Sequence, residues 1–320
     1  MRKVVPGLCL LLTVAVAQAQ NYPARPVRVI TPFTAGSAID TLARVLGQKM
    51  SDAWGQQVVI DNRIGANGII GTEAAARAPA DGYTLYLGNI ATLAINPHLY
   101  TRLPYDAVKD FAPITLAATI QVVLVVHPSL PVRSVKELIA LAKAHPGAIN
   151  YASGGNGSAQ HLPMEMLGVA TGIKLVHVPY KGLGPAYNDV LGGQVPMMWT
   201  GVSNVVQYLE SGRLRVLAIG STRRSPALPN VPTMIEAGVP GFDFEAWTGY
   251  LAPTGTPKDL IARLHTDITR ILGATEVRDK LTALGFNVVG NTPEQFAALI
   301  RNDIERFGKL VKAAGIKSSD

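Results

Sequence analysis

The chain has 320 residues, 48% of them hydrophobic and 16% charged, with a formal charge of +7 and one cysteine, Cys9. That length supports two ordinary domains, each with its own core. The modest positive charge comes without a basic block or interleaved aromatics, which argues against nucleic acid and for small anionic ligands.

Arg2 and Lys3 precede an apolar run from Val4 to Val16 and then Ala17-Gln18-Ala19. This order predicts a signal peptide over 1–19, cleaved after Ala19, and a periplasmic destination. Removing Arg2 and Lys3 lowers the formal charge of +7 to about +5. It also removes Cys9, leaving no disulfide, no thiolate nucleophile and no cysteine-type zinc site. No later stretch is long and apolar enough to suggest a transmembrane helix.

Val27 to Ile30 reads as a first strand between prolines, and Ile39, Leu42, Val45, Leu46, Met50 and Trp54 keep helical spacing until Gly55. The loop between them, Phe33-Thr34-Ala35-Gly36-Ser37, is rich in small residues, and Ser37 with Asp40 has the spacing of a capping box. Val58 to Ile60 is a second strand, followed by a turn over 62–68 and a helix from about Ile69 to Ala78. Tyr83 to Gly88 is a third strand, delivering Asn89 and Thr92 to the same strand-end level. Asn96-Pro97 reads as a turn, and Phe111 to Val126 as a long β-rich stretch leaving the first domain.

Beyond it, Ser134 to His145 is an amphipathic helix stopped by Pro146-Gly147, and Ile149 to Ala152 is a strand. The loop Tyr151 to His161 follows, with Ser158 as N-cap of a helix over Leu162 to Val169. Lys174 to Val178, Val195 to Trp199 and Leu214 to Ile219 read as strands, alternating with helices over Gly184 to Leu191 and Val205 to Leu209. A proline-rich passage, Ser225 to Pro240, leads to Phe244 to Leu251, a return crossing. The remainder reads as helical: Lys258 to Leu272, Glu276 to Leu284 and Pro293 to Ala314. The class is α/β with mainly parallel sheets. A first domain, 20–121 plus 242–320, holds an inserted second domain, 122–241, with two crossover segments and a cleft between them.

Two loops carry the chemistry. Both stand at a strand end feeding a helix, where main-chain N–H groups and the helix dipole receive an anion. Gly155, Asn156, Gly157 and Ser158 form one wall; Phe33 to Ser37 form the other. The spacing Gly65, Gly68, Gly71 and the pair Gly155, Gly157 both fall short of a dinucleotide fingerprint. Among six histidines none lies in a zincin pattern, and His161 with Glu165 is a weak two-ligand metal pair. Ser153 and Ser158 lack a nucleophile elbow. A triad spread along the chain stays open, but small and amide-bearing residues suit binding better than bond breaking.

Ordered along the chain are Tyr22-Pro-x-Arg-Pro-Val-Arg, Pro32-Phe33 through Asp40, Asn62-Arg63, Asp81-Gly82-Tyr83-Thr84, Ala94-Ile95-Asn96-Pro97, Asp110-Phe111, Ser153 to His161, His177 to Gly182, Leu191 to Gln194, and Arg224-Ser225-Pro226 through Thr233. Together they resemble the Bug family, the solute-binding proteins of tripartite tricarboxylate transporters, over essentially the whole mature chain. The resemblance implies a monomeric, two-domain periplasmic binding fold of the Venus-flytrap, type II-like kind. Such a protein closes on a carboxylate through backbone and water contacts and passes it to membrane subunits, without cofactor, metal or catalysis. Carried over by position, the cleft residues are Phe33, Thr34, Ala35, Gly36, Ser37, Asp40, Asn89, Thr92, Gly155, Asn156, Gly157, Ser158, His161, Tyr180, Lys181, Gly182 and Thr200. Two departures stand out. The first loop carries Thr34-Ala35-Gly36-Ser37-Ala38-Ile39 where the family is glycine-rich, and Thr200 stands where members often have aspartate. Losing that charge should favour plain or aromatic carboxylates over ammonium-bearing ligands. The alternatives are a periplasmic hydrolase or isomerase, or a sensory binding protein, on the same scaffold.

Overall fold

The computed structural model describes residues 22–316. The expected signal peptide, its cleavage site and Cys9 lie outside the described residues.

The first strand, β1 (Val27–Thr31), is flanked by parallel partners β2 (Val58–Asn62) and β3 (Thr84–Asn89). Between β1 and β2 runs α1 (Ala38–Trp54), which buries Leu42, Ala43, Leu46 and Met50 on one face and ends at Gly55 in the left-handed conformation, φ 62°. Glycine takes that conformation without a Cβ penalty. After β2 comes α2 (Ile69–Ala76), and after β3 a helical run: a wide π turn, Ala91–Ile95, continuing into α3 (Asn96–Leu99). The expectation of a turn at Asn96-Pro97 is therefore corrected. Pro97 sits in the first turn of α3, where its fixed φ suits the helix, and Thr92 O one turn back is bonded by the Tyr105 hydroxyl instead of an N–H.

The 16-residue strand β4 (Phe111–Val126) joins the two halves of the sheet. Its first part, through Gln121, pairs antiparallel with β9 (Glu245–Pro253); from Val122 on it pairs with β7 (Met197–Gly201) and, from Val123, β8 (Arg215–Ile219). The second half also holds α4 (Val135–Ala144), β5 (Asn150–Ser153), α5 (Leu162–Thr171), β6 (Val176–Pro179), α6 (Leu183–Leu191) and α7 (Val206–Leu209). There β5 is parallel to β6 and β7. The strand order is β2-β1-β3-β9-β4-β7-β5-β6. The sheet is mixed and not mainly parallel as expected: parallel triplets lie at its two ends, and the long crossing strands between them, β4 and β9, pair antiparallel with their neighbours.

The C-terminal part contains α8 (Lys258–Gly273), α9 (Thr275–Ala283), β10 (Phe286–Val288) and α10 (Pro293–Ala313). It is not helical throughout, as the sequence suggested. The three residues of β10 are too few to show alternation, and their strand character comes from the edge of β4, with Phe286 opposite Ile120. A full capping box, Thr292 with Gln295, starts α10. Its Phe296, Ile300, Phe307 and Val311 join a core cluster that also contains Ile30 and Tyr86 from the first half and Tyr151 and Trp199 from the second. Two further clusters belong to one half each.

Candidate functional site

The loops after β1, β2 and β3 leave the C-terminal ends of parallel strands, and so do those after β5, β6 and β7. In the first half, Ser37 Oγ accepts from the Asp40 N–H at 3.3 Å, as expected of an N-cap. The reciprocal bond is shifted by one residue: Asp40 Oδ2 accepts from the Gly36 N–H at 2.8 Å. The same oxygen meets Arg44 Nε at 2.9 Å, while Oδ1 accepts from Asn62 Nδ2 at 2.9 Å. Asp40 is buried, and burial alone would push its carboxyl up. The bonds from Arg44, Gly36 and Asn62 more than offset that and hold it below the usual range. Both of its oxygens are thus engaged in holding the loop, and Asn62 Nδ2 ties the same loop again through Phe33 O at 3.0 Å.

The turn after β2 presses into this loop. A Cβ on Gly68 would stand 2.6 Å from Thr92 Cγ2, 3.2 Å from Pro32 Cβ and 3.6 Å from Phe33 Cζ. Thr92 is fully buried, its methyl toward Gly68 and its hydroxyl accepting from Tyr86 at 2.9 Å. Asn89 Oδ1 accepts from the Thr92 N–H at 3.1 Å, closing the start of the helical run. Phe33, Gly68 and Thr92 form one surface.

In the second half, Ser158 Oγ accepts from the His161 N–H at 3.3 Å, which caps the turn before α5 and not α5 itself. His161 is 4% exposed, and its Nδ1 accepts from the Gly157 N–H at 3.1 Å. That bond sets the tautomer with the proton on Nε2, which faces Glu165 Oε1 at 3.6 Å. His161 stacks on His177 with centroids 4.0 Å apart, and His177 stacks on Tyr151 at 4.9 Å. The Tyr151 hydroxyl donates to Glu165. Ser153 Oγ accepts from the Gly155 N–H at 3.0 Å and lies 2.6 Å from His177 Nε2. Burial, then the neighbouring His161, push the His177 pKa down to about 4, against the opposing pull of Glu165. Burial pushes Glu165 up, but bonds from His161 and Tyr151 outweigh it and leave this carboxylate below its usual range. Ser153 is fully buried, so its hydroxyl serves the loop.

These bonds decide which amides face outward. Gly155 and Gly157, which the sequence offered as donors, are engaged by Ser153 and His161. Among the described residues, the N–H groups of Asn156, Ala159 and Gln160 have no internal acceptor, nor do those of Thr34, Ala35, Ala38 and Ile39. The last two are the open first turn of the 17-residue α1.

The two walls meet. A Cβ on Gly157 would overlap Leu99 Cδ1 and stand 3.5 Å from Asn67 Nδ2 and 3.6 Å from Ile95 Cγ2. Gly157 and Phe33 therefore flank the same turn, Asn67-Gly68. Gly155 lies beside Tyr180, its Cβ position 3.3 Å from Tyr180 O, and the Gly182 N–H donates to Gly154 O at 3.2 Å. The Tyr180 hydroxyl turns away onto Asp189 at 2.5 Å, its pKa raised to about 12 by burial and by that carboxylate. Lys181 is exposed. Thr200 is buried at the end of β7, accepting from Asn204 Nδ2 at 3.3 Å. A groove of about 680 Å³ lies elsewhere, along α1 and the edge strand β2.

Asn62, Asn67, Asn96, Leu99 and His177 were not among the expected cleft residues, although Asn62, Asn96 and His177 stand in the motifs of the resemblance. The strand-end position of 62–68, beside β1, was the signal available.

Comparison with known proteins places this architecture. The family model described as "Tripartite tricarboxylate transporter family receptor" matches residues 42–316. Protein BugT of Bordetella pertussis is 40% identical over 304 residues, covering 95% of this chain and 93% of BugT. The solved structure "R. palustris Rpa4515 with adipate" is 36% identical with a TM-score of 0.85, over 93% of this chain and 100% of that one. MatC from Rhodopseudomonas palustris with bound malate is 34% identical with a TM-score of 0.81, over 91% and 100%. The α/β periplasmic-binding fold, the strand-end loops and these likenesses lead to one conclusion: the chain belongs to the tripartite tricarboxylate transporter receptors, the Bug, or TctC-like, family.

Proposed function

We propose that this protein captures a small carboxylate between two lobes, 20–121 plus 242–320 and 122–241, and delivers it to the membrane subunits of a tripartite transporter. The observation that carries this reading is the convergence of the Phe33 and Gly157 loops on the Asn67-Gly68 turn, each loop offering uncommitted amides. The open first turn of α1 adds a positive dipole end, and Asp40, the nearby carboxylate, is paired with Arg44. Relatives described with adipate and malate support the ligand class.

Hydrogen bonds to a charged group contribute about 1.5–3 kcal/mol each. Three or four therefore approach the roughly 8 kcal/mol of micromolar affinity. The signal peptide expected over 1–19 supports export to the periplasm, where the protein would work as a monomer, with binding rather than turnover as its task. Thr200 adds no charge at the end of β7, which suits a carboxylate without an ammonium group.

The test is a thermal-shift and calorimetric screen of the mature protein against mono-, di- and tricarboxylates, adipate and malate included. A cognate acid at about 100 times its Kd adds about 2.7 kcal/mol of stability. If every acid in ligand excess leaves Tm unmoved, the reading fails.

A further inference from the structure

Four consecutive residues, Gly65 to Gly68, have positive φ: 127°, 45°, 50° and 86°. Glycine adopts such angles freely, whereas Ala66 and Asn67 do so at a steric cost. Strained side-chain-bearing residues persist where their surroundings hold them, most often where function uses them.

Asn67 is held on several sides. Its Nδ2 donates to Asn96 Oδ1 at 2.9 Å, and Asn96 Nδ2 donates back to Asn67 O at 3.1 Å. Asn96 is itself fully buried, with its Nδ2 3.4 Å from the Tyr105 hydroxyl, which donates to Thr92 O at 2.6 Å. The Tyr100 hydroxyl bonds the Asn67 side chain as well. The remaining approach to Asn67 is across the gap, where a Cβ on Gly157 would stand 3.5 Å from Nδ2. A carboxamide nitrogen has two protons, and Asn96 and Tyr100 engage them, so the side chain is fixed where it faces Gly157.

We propose that Asn67 is a positioning residue for ligand capture: its carboxamide, fixed by Asn96, is the surface on which the Gly157 loop seats as the lobes close over a carboxylate. This inference rests on the ligand-capture reading above. It explains why a turn that already has glycines at 65 and 68 carries a side chain at 67. It also explains why the residue opposite is a glycine, since any side chain at 157 would meet Leu99 before the loop reached Asn67.

The test compares wild type with Asn67→Gly and Asn67→Asp. Glycine suits the backbone there, but Asn67→Gly leaves the buried Asn96 Oδ1 without its donor, so the unliganded Tm falls by several degrees while the protein stays folded at about 25 °C. Its affinity for the acid identified in the screen falls by roughly tenfold or more. Asn67→Asp keeps the shape, loses the donor to Asn96 and presents a like charge to the ligand, so its affinity falls further. Hydrogen exchange of the 153–161 amides, read with and without ligand, rises in both variants. A purely structural role would lower Tm and leave the affinity, measured well below Tm, at its wild-type value. Wild-type affinity in Asn67→Gly, or unchanged exchange at 153–161, overturns the proposal. If wild type itself binds no acid, the ligand-capture reading fails, and the exchange comparison alone decides whether Asn67 braces the loop.

Discussion

His161 shows how one residue can hold a loop of the proposed site from behind, without facing the gap. It was expected among the cleft residues, and its imidazole is buried, with Nδ1 committed to the Gly157 N–H. His161→Leu would leave that donor unpaired, a loss of about 1–3 kcal/mol. His161→Asn places a carbonyl oxygen near Nδ1 and should recover part of it; chemical denaturation of both variants measures the difference. His177, stacked beneath it, has a folded-state pKa of about 4 against an ordinary 6.5. The unfolded chain therefore takes up this proton first. The stability linked to His177 is fully present above pH 6.5 and is lost as pH falls toward 4. Tm should drop across that window, and His177→Gln should flatten the drop; parallel thermal melts from pH 7 to pH 4 check it.

At the scale of elements, the loop after β5 and the helical run after β3 make one contact that decides how closely the walls approach. Gly157 has φ +71° and no space for a Cβ beside Leu99. Gly157→Ala pays about 1–2 kcal/mol for its backbone angle alone and holds the loop away from Leu99. Ligand affinity should then fall more than stability does. Leu99→Ala opens the space, and the double variant should bind better than Gly157→Ala alone, because the two side chains share one site. Titration calorimetry on the four-protein cycle reads the coupling, and strictly additive losses would show that the contact does not govern binding. The same pairing explains why the place of the 62–68 turn between the two loops is not legible in the sequence. Its importance lies in what Gly68 and Asn67 touch, and those neighbours, Thr92 and Asn96, lie 24 and 29 residues onward in the chain.

At the scale of the molecule, the largest apolar cluster passes from one half to the other, joining Ile30 and Tyr86 to Tyr151, Trp199 and the α10 face. A shared core of this kind couples the halves, so heat should unfold the mature protein in a single calorimetric transition, with equal calorimetric and van't Hoff enthalpies. Two resolved transitions would show that the halves are held by their separate clusters.

The alternation of strands and helices, the long Phe111 to Val126 strand and the small-residue loops at strand ends were all readable from the chain. They depend on local periodicity, caps and glycine. So was the family, through motifs spread over the whole length. Tertiary structure alone decided three things: that Phe286–Val288 is a strand, that Gly155 and Gly157 direct their N–H groups inward while Asn156, Ala159 and Gln160 do not, and that Gly157 rests against Asn67 and Leu99. Each depends on a partner remote in sequence: β4 for the strand, His177 with Tyr151 for the imidazole that engages Gly157, and Asn67 with Leu99 for the loop. No pattern within a window of residues specifies which donor a distant acceptor will reach.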